Sequence, residues 1–119
     1  MLLSDVKTIL NAEILSGEDE NVLSSKEVYS ACGCDLMSDV LAFVKDRSLL
    51  LTGLINSQVI RTAEMMDITA ICFVRGKTPT EDVISLAKDK NITLMHTSYP
   101  LYIACGMLYE KGLRGRNNG

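Results

Sequence analysis

Three polar loops, each following a short apolar run, carry the side chains best suited to binding chemistry. The loops are Thr52-Gly53, Arg75-Gly76-Lys77 and His96-Thr97-Ser98. Hydroxyl groups, backbone N–H groups and positive side chains are the groups with which proteins hold phosphate and other anions. Glycine also lets the backbone approach a ligand closely. The loops therefore predict an anion pocket, and the alternative is that their Thr and Ser residues only form turns and caps.

Polar residues near two predicted helix starts extend this candidate site. Asn56 precedes a helical segment, and Asp35 and Ser38 stand at the start of another, strongly apolar one. Side chains of these types commonly cap helices, so capping by Asn56 or Ser57 and by Asp35 or Ser38 is the alternative to a role in the pocket. We include Asn56, Asp35 and Ser38 in the predicted ligand-binding set.

His96 is the single histidine, and catalysis would require it to act with a nucleophile and a carboxylate. Ser98 or Cys34 would be the nucleophile, and Asp35 or Asp39 would orient the imidazole ring. No motif orders these residues, and neither GxxxxGK[ST] nor GxGxxG occurs in the chain. The sequence therefore predicts a binding domain with no catalytic residues, not an enzyme.

Cys32 and Cys34 are weak candidates for metal ligands, because zinc and iron–sulfur sites commonly use four ligands with spacing such as CxxC. The remaining thiols, Cys72 and Cys105, lie inside apolar segments, where cysteine behaves as a small hydrophobic residue. We expect reduced thiols and no cofactor. The alternative is a metal or iron–sulfur cluster shared across a dimer.

Residues 48–74 indicate how the loops are positioned. SLLLTG and ICFV are apolar runs typical of buried strands, and NSQVIRTAEMMDI between them has its apolar residues near one face of a helix. Two buried strands joined by a crossover helix imply a parallel sheet. Ligands of parallel sheets usually bind at the carboxyl ends of the strands, which is where the polar loops stand.

The rest of the chain alternates in the same way. We predict further helices in DVKTILN, capped by Ser4-Asp5, in the segment from Cys34 to Val44, in TEDVISLAKDK and in YPLYIACGMLYEKG, and strands in AEILSG, VYSAC and NITLMHTS. GEDEN is predicted to be a solvated acidic turn, and the helix at 34–44 has enough apolar residues to be buried on more than one side. The pattern predicts one α/β domain at residues 1–113, a three-layer α/β/α arrangement with a mostly parallel sheet, and a disordered tail at 114–119.

Composition restricts the partners. A net charge of −3 and a pI near 5.1 argue against nucleic acid, and no apolar run approaches the roughly 20 residues of a membrane helix. The amino terminus has no secretory signal pattern, so we expect a cytoplasmic protein. A hydrophobic content of 47%, with apolar helices beginning at Met37 and Tyr99, predicts a homodimer with Met and Leu side chains at the centre of its contact.

The run ACGCDLMSDVLAFVKDRSLLLTGLINSQVIRTAEMMDITAICFVRGKTP, followed by LAKDKNITLMHTSYPLYIACGML, resembles a stand-alone DRTGG domain. The resemblance extends over residues 4–114. It implies an α/β fold similar to the amino-terminal domain of HPr kinase/phosphorylase and to a MurF-type domain, without a kinase P-loop. Where many members carry Asp-Arg and Thr-Gly-Gly, this sequence has Leu54-Ile55 and Val74-Arg75-Gly76.

Members of this family also occur attached to CBS domains, which implies a sensing or dimerising role. We therefore expect a regulatory domain that binds a small anionic ligand, a nucleotide or a phosphorylated metabolite, and acts through dimerisation. The alternative is a purely structural module for homodimerisation or for contact with a protein partner. Similar small proteins are carried beside iron-only hydrogenase components, which implies a third role as an accessory iron–sulfur protein of a hydrogenase system.

Overall fold

Five strands form one sheet in the computed structural model, which describes residues 1–44 and 47–114, with Phe43 described by its backbone only. The strands are β1 (Glu13–Ile14), β2 (Ser30–Gly33), β3 (Ser48–Thr52), β4 (Ala70–Phe73) and β5 (Thr93–His96). Their order across the sheet is β1-β5-β4-β3-β2. Strands β2 to β5 are parallel, and β1 pairs with β5 in the antiparallel direction.

Helices cover both faces of this sheet. They are α1 (Leu3–Leu10), α2 (Glu20–Leu23), α3 (Met37–Phe43), α4 (Ser57–Met65), α5 (Glu81–Asp89) and α6 (Leu101–Glu110). Because β2 to β5 follow one another across the sheet, right-handed crossovers bring α3, α4 and α5 to the same face. Helices α1 and α6 contribute to the hydrophobic cluster on the other face. The predicted three-layer α/β/α arrangement with a mostly parallel sheet is confirmed.

Alternation along the central strands divides the core into two clusters. Leu50 and Phe73 pack with helices α3 to α5, whereas Leu49, Leu51 and Cys72 pack with α1 and α6. Successive side chains of a strand point to opposite faces, and here both faces are covered. This explains why the strand sequences are continuously apolar instead of alternating.

The amino-terminal segment differs from the prediction in two places. Ser4 and Asp5 do not cap α1; its N-cap is Leu2, without a side-chain bond, and Leu3 N–H bonds instead to the Lys26 carbonyl at 2.9 Å. The GEDEN stretch is not only a turn, because Asp19 accepts a bond from Val22 N–H at 3.1 Å and begins the short α2. At the start of α1, the Lys26 carbonyl therefore takes the place of the expected side-chain cap.

The prediction for α3 was also wrong in two respects. Its N-cap is Leu36, without a side-chain bond, so neither Asp35 nor Ser38 caps it. Only one side of it is buried, through residues such as Met37 and Val40, and Leu41 is 42% exposed. The reason is position, because α3 follows the edge strand β2 and has a neighbouring helix, α4, on one side.

The end of the described chain continues past α6. Leu113 is buried, and the Arg114 guanidinium lies 4.2 Å from the centre of the Tyr109 ring. The predicted disordered tail at 114–119 falls, apart from Arg114, on residues 115–119, which lie outside the described residues, and its boundary stays a prediction. None of the helices in the described ranges has the length and apolar character needed to cross a membrane.

Candidate functional site

The three polar loops lie at the carboxyl edge of the sheet, by which we mean the side where the parallel strands β3, β4 and β5 end. The register aligns Thr52 with Phe73 and Phe73 with His96, so the strands stop at the same level. Backbone bonds then join the loops to each other, because Gly76 N–H donates to the Thr97 carbonyl at 2.7 Å. The convergence expected from a parallel sheet is therefore present in the geometry.

At the end of β3, the protein supplies its own anion. Oδ1 of Asp35 accepts bonds from the Thr52 hydroxyl at 2.9 Å and from Gly53 N–H at 2.7 Å. A Cβ built on Gly53 would lie 3.6 Å from both Asp35 Oδ2 and Arg75 Nη2, so the carboxylate and the guanidinium both approach the side of Gly53 where a side chain would stand. Thr52 and Gly53 thus bind the Asp35 carboxylate in this structure, and Arg75 faces the same point.

At the end of β5, His96 is held from both sides. Its Nε2 lies 3.2 Å from Glu13 Oε2, and its Nδ1 lies 3.2 Å from the Thr78 hydroxyl. A carboxylate only accepts hydrogen bonds, so this geometry assigns a proton to Nε2 and lets Nδ1 of a neutral ring accept from Thr78. An open cleft of about 220 Å³ lies here, lined by Asn11, Glu13, Gly76, His96, Thr97 and Ser98.

The residues considered for catalysis are not brought together. Both ring nitrogens of His96 are bonded to Thr78 and Glu13, whereas Asp35 is bonded to the end of β3. The Cys34 thiol bonds to the backbone of Leu36 at 3.3 Å. Within the described ranges, neither Ser98 nor Cys34 hydrogen-bonds to His96; the hydroxyl that does so belongs to Thr78.

Other members of the predicted set have structural roles or stand apart. Asn56 Oδ1 accepts from Val59 N–H at 3.3 Å and caps α4, and the buried Thr97 hydroxyl donates to the Leu10 carbonyl at 2.7 Å. Ser38 is exposed in the first turn of α3, and Lys77 is exposed beside Gly76. The predicted residues thus form two groups, one around Asp35 and one around His96.

Sequence reasoning missed two residues that fix the His96 ring. Thr78 follows Lys77, just beyond the predicted loop, and it is exposed in the structure. Nothing in the sequence marked it as a site residue. Glu13 belongs to the edge strand β1, whose antiparallel register places it directly opposite His96. The sequence showed Glu13 within a short predicted strand, but it did not show with which strand this one would pair.

The cysteines are packed thiols. Burial, together with nearby Cys34, Cys105 and Asp39, raises the pKa of Cys32 to about 11, and burial with nearby Cys105 raises the pKa of Cys72 to about 12. Burial also raises the pKa of Cys105. Metal binding requires the thiolate, which these shifts disfavour at neutral pH. Across residues 1–44 and 47–114, no three His, Cys, Asp or Glu side chains are grouped so as to hold a metal ion.

Replacing Asp35 by alanine should lower the free energy of unfolding by about 1–3 kcal/mol, because the buried Thr52 hydroxyl and the Gly53 N–H would lose their partner. Asp35→Asn keeps one acceptor oxygen at this position, so its cost should be smaller. Urea unfolding followed by circular dichroism measures both values. Equal stability of the wild type and the alanine variant would show that the Asp35 contacts contribute nothing.

Comparison with known proteins places this chain in a family. A model of the DRTGG domain matches residues 5–110. No curated protein matches the sequence. A solved structure of the CBS and DRTGG domains of the regulatory region of Clostridium perfringens pyrophosphatase, complexed with the activator diadenosine tetraphosphate, is similar with a TM-score of 0.68 at 15% identity. The match covers 98% of this chain and 51% of that one, so the present chain spans about half of its length. The chain belongs to the DRTGG domain family.

Proposed function

We propose that this protein is a non-catalytic regulatory domain that binds a small anionic ligand, a nucleotide or a phosphorylated metabolite, at the carboxyl edge of its sheet. The observation that carries the proposal is the cleft of about 220 Å³ between the loops after β4 and β5. The similar regulatory region from Clostridium perfringens pyrophosphatase, which contains CBS and DRTGG domains, was solved with a nucleotide activator and supports this class of ligand.

The basic residues that would attract an anion stand beside the cleft and not in its wall, because Arg75 and Lys77 flank the Gly76 that lines it. Arg75 and Lys77 are exposed, and within the described part of the chain neither has a carboxylate at ion-pair distance. Glu13 is the opposing charge, but its side chain is 83% exposed and is free to rotate away from His96. An incoming phosphate would then take the place of Glu13 at the Nε2 proton, and the basic residues would offset its charge.

The volume limits what enters the cleft. Small-molecule sites usually enclose about 300–1,000 Å³. The cleft beside His96, with about 220 Å³, is smaller. We therefore expect it to hold one phosphate group, while the remainder of the ligand extends along Arg75 towards Asp35 at the end of β3.

Titration calorimetry with ATP, diadenosine tetraphosphate and inorganic phosphate tests this proposal. We expect saturable binding of at least one nucleotide and an affinity about tenfold lower for Arg75→Gln, since a charge-assisted bond is lost. Lys111→Gln is the matched control, because Lys111 is an exposed basic residue at the far end of α6. No saturable binding at millimolar nucleotide, or an equal loss in both variants, would reject the site.

We further propose that two copies of the chain associate through the outward face of α6. Tyr102 is 86% exposed and Tyr109 is 55% exposed, and with Cys105 and Gly106 they line an apolar groove of about 530 Å³. Their spacing places them on one stripe of the helix. Tyr residues dominate this surface, instead of the Met and Leu side chains expected from composition.

A second copy fits this face for two physical reasons. A Cβ on Gly106 would have no atom within 4 Å, so the space over the centre of the stripe is open and allows another helix to approach closely. A two-fold axis perpendicular to α6 at this point would make the two α6 helices antiparallel, which sets the positive amino end of each dipole beside the negative carboxyl end of its partner.

Light scattering measures the association directly. We expect twice the 13.1 kDa mass of one chain for the wild type, and one chain mass for Tyr102→Asp combined with Tyr109→Asp. Met65→Asp is the control, because Met65 is 68% exposed on the opposite layer of the domain. A wild-type mass of one chain rejects the dimer and leaves ligand binding to calorimetry. A dimer that binds no ligand would favour the purely structural module.

A further inference from the structure

A second cavity lies at the opposite edge of the sheet, where the parallel strands begin. Its volume is about 390 Å³, and its polar lining comes from Ser16, Glu18, Lys26, Lys88 and Asn91. These residues come from the loop after β1, the segment after α2, the last turn of α5 and the turn before β5. The cavity is therefore separate from the loops at the carboxyl edge, and its volume falls in the usual range of small-molecule sites, about 300–1,000 Å³.

The Lys26 side chain lines this cavity and bonds to residues at the start of β5 and just before it. Its Nζ donates to the Thr93 hydroxyl at 2.8 Å and to the Asn91 carbonyl at 3.3 Å. An ammonium group has three protons, so one donor remains after these two bonds. The contacts join residues that are 67 and 65 positions apart, and they fix the position of the charge before any ligand binds.

Lys88 supplies a second ammonium group. Its Nζ would lie 3.9 Å from a Cβ built on Gly17, so it stands over the backbone of the loop after β1. Two other lysines are paired, since Lys7 contacts Glu20 at 3.7 Å and Lys90 contacts Glu64 at 3.0 Å. Counting only residues 1–44 and 47–114, neither Lys26 nor Lys88 has a carboxylate within ion-pair distance.

Glu18 is the acidic residue of the cavity wall, and its oxygens are already bonded. Oε1 accepts from the Thr93 hydroxyl at 3.1 Å, and Oε2 accepts from the Ser16 hydroxyl. Ser16 also accepts from Leu94 N–H at 2.8 Å, which ties this carboxylate to β5. Two ammonium groups and one internally bonded carboxylate leave the cavity with a net positive charge in a chain whose total charge is −3.

We propose that this cavity is a second binding site, which takes a small anion with phosphate or carboxylate groups between Lys26 and Lys88. The remaining donor of Lys26 and the unpaired ammonium of Lys88 bind the anion. Gly17 leaves room for it, because the nearest atoms to an added Cβ belong to Lys88 alone. This site does not depend on Arg75 or His96, so it can be supported or rejected separately from the function proposed above.

Titration calorimetry with pyrophosphate and with citrate, in a low-salt buffer, tests the site and separates the two sources of negative charge. We expect saturable binding of at least one probe. Lys88→Gln should weaken it about tenfold, and Glu18→Gln should strengthen it several-fold, because a repelling charge is removed. Lys90→Gln is the matched control, since Lys90 lies two residues further along the chain and pairs with Glu64.

The outcomes distinguish the two sites. Loss of binding in Lys88→Gln but not in Arg75→Gln supports the second cavity. Loss in Arg75→Gln with Lys88→Gln unchanged, equal weakening in Lys88→Gln and Lys90→Gln, or no saturable heat with either probe overturns it. Because Lys88 and Lys90 are both exposed, both variants should keep the fold, which melting curves would verify.

Discussion

Replacing Phe73 by alanine should lower the free energy of unfolding by about 3–5 kcal/mol, the largest effect that we expect from a single substitution. Phe73 is fully buried at the end of β4. It packs in the cluster that joins the sheet to α3, α4 and α5, so its removal leaves a cavity between layers. Domains are stable by only about 5–15 kcal/mol, and the variant should therefore be close to unfolding at 37 °C.

Chemical denaturation of the wild type and the variant measures this loss. Phe73→Leu is the control, because it keeps most of the apolar volume and should cost less than about 1.5 kcal/mol. A smaller loss of unfolding free energy in Phe73→Ala than in Phe73→Leu would contradict the packing described for this side chain. Because Phe73 is paired in register with Thr52 and His96, the alanine variant should also weaken any ligand bound at the carboxyl edge.

The second large effect is a loss of stability at alkaline pH that depends on Cys72. Burial, with a smaller contribution from Cys105, raises the pKa of Cys72 from 9.0 to about 12. The unfolded chain therefore loses this proton at lower pH than the folded protein does. The contribution to stability is complete below pH 9 and is lost as the pH rises towards 12, at about 1.4 kcal/mol per pH unit and about 4 kcal/mol in all.

Unfolding free energies of the wild type and Cys72→Ala at pH 8 and at pH 10.5 test this. Other groups titrate in the same range, but they are common to both proteins, so the difference between the two slopes isolates Cys72. We expect a shallower decline in the variant. Parallel slopes would mean that the Cys72 thiol is not held in its protonated form.

The central unit could be predicted because its information is local. Val59, Ile60 and Ala63 recur at helical spacing, and all three are buried on α4. Asn56, one of the two predicted caps, stands at the N-cap, and its side chain accepts from Val59 N–H. Apolar runs on both sides predicted buried parallel strands, and β3 and β4 pair in that way.

The parts that could not be predicted depend on contacts between distant residues. Glu13 meets His96 only because β1 joins the free edge of β5. The one-sided burial of α3 depends on β2 being an edge strand, which no local pattern reveals. Asp35 does not cap α3 and bonds to the end of β3, whereas its predicted role in the pocket stays a prediction.

The candidate site was only partly accessible to the same reasoning. The polar loops were expected to converge, and the register of β3, β4 and β5 brings Thr52 and His96 to one level. Residue type did not reveal that the Thr97 hydroxyl donates its hydrogen bond to the Leu10 carbonyl. The binding roles of these residues, the dimer, the similarity to HPr kinase and the association with hydrogenase components stay predictions.

The strand order also has a consequence for how the chain folds as it leaves the ribosome. Strands β2, β3 and β4 each pair with the next strand to be synthesised, so the parallel sheet can grow in the order of translation. The pairing of Glu13 with His96 is different, because β1 is made first and its partner β5 is made last of the strands. The nascent β1 must therefore wait for its partner until β5 has emerged, whereas α1 can be fixed earlier, because Leu3 N–H bonds to the Lys26 carbonyl and its apolar side chains cluster with Leu23 and Val28.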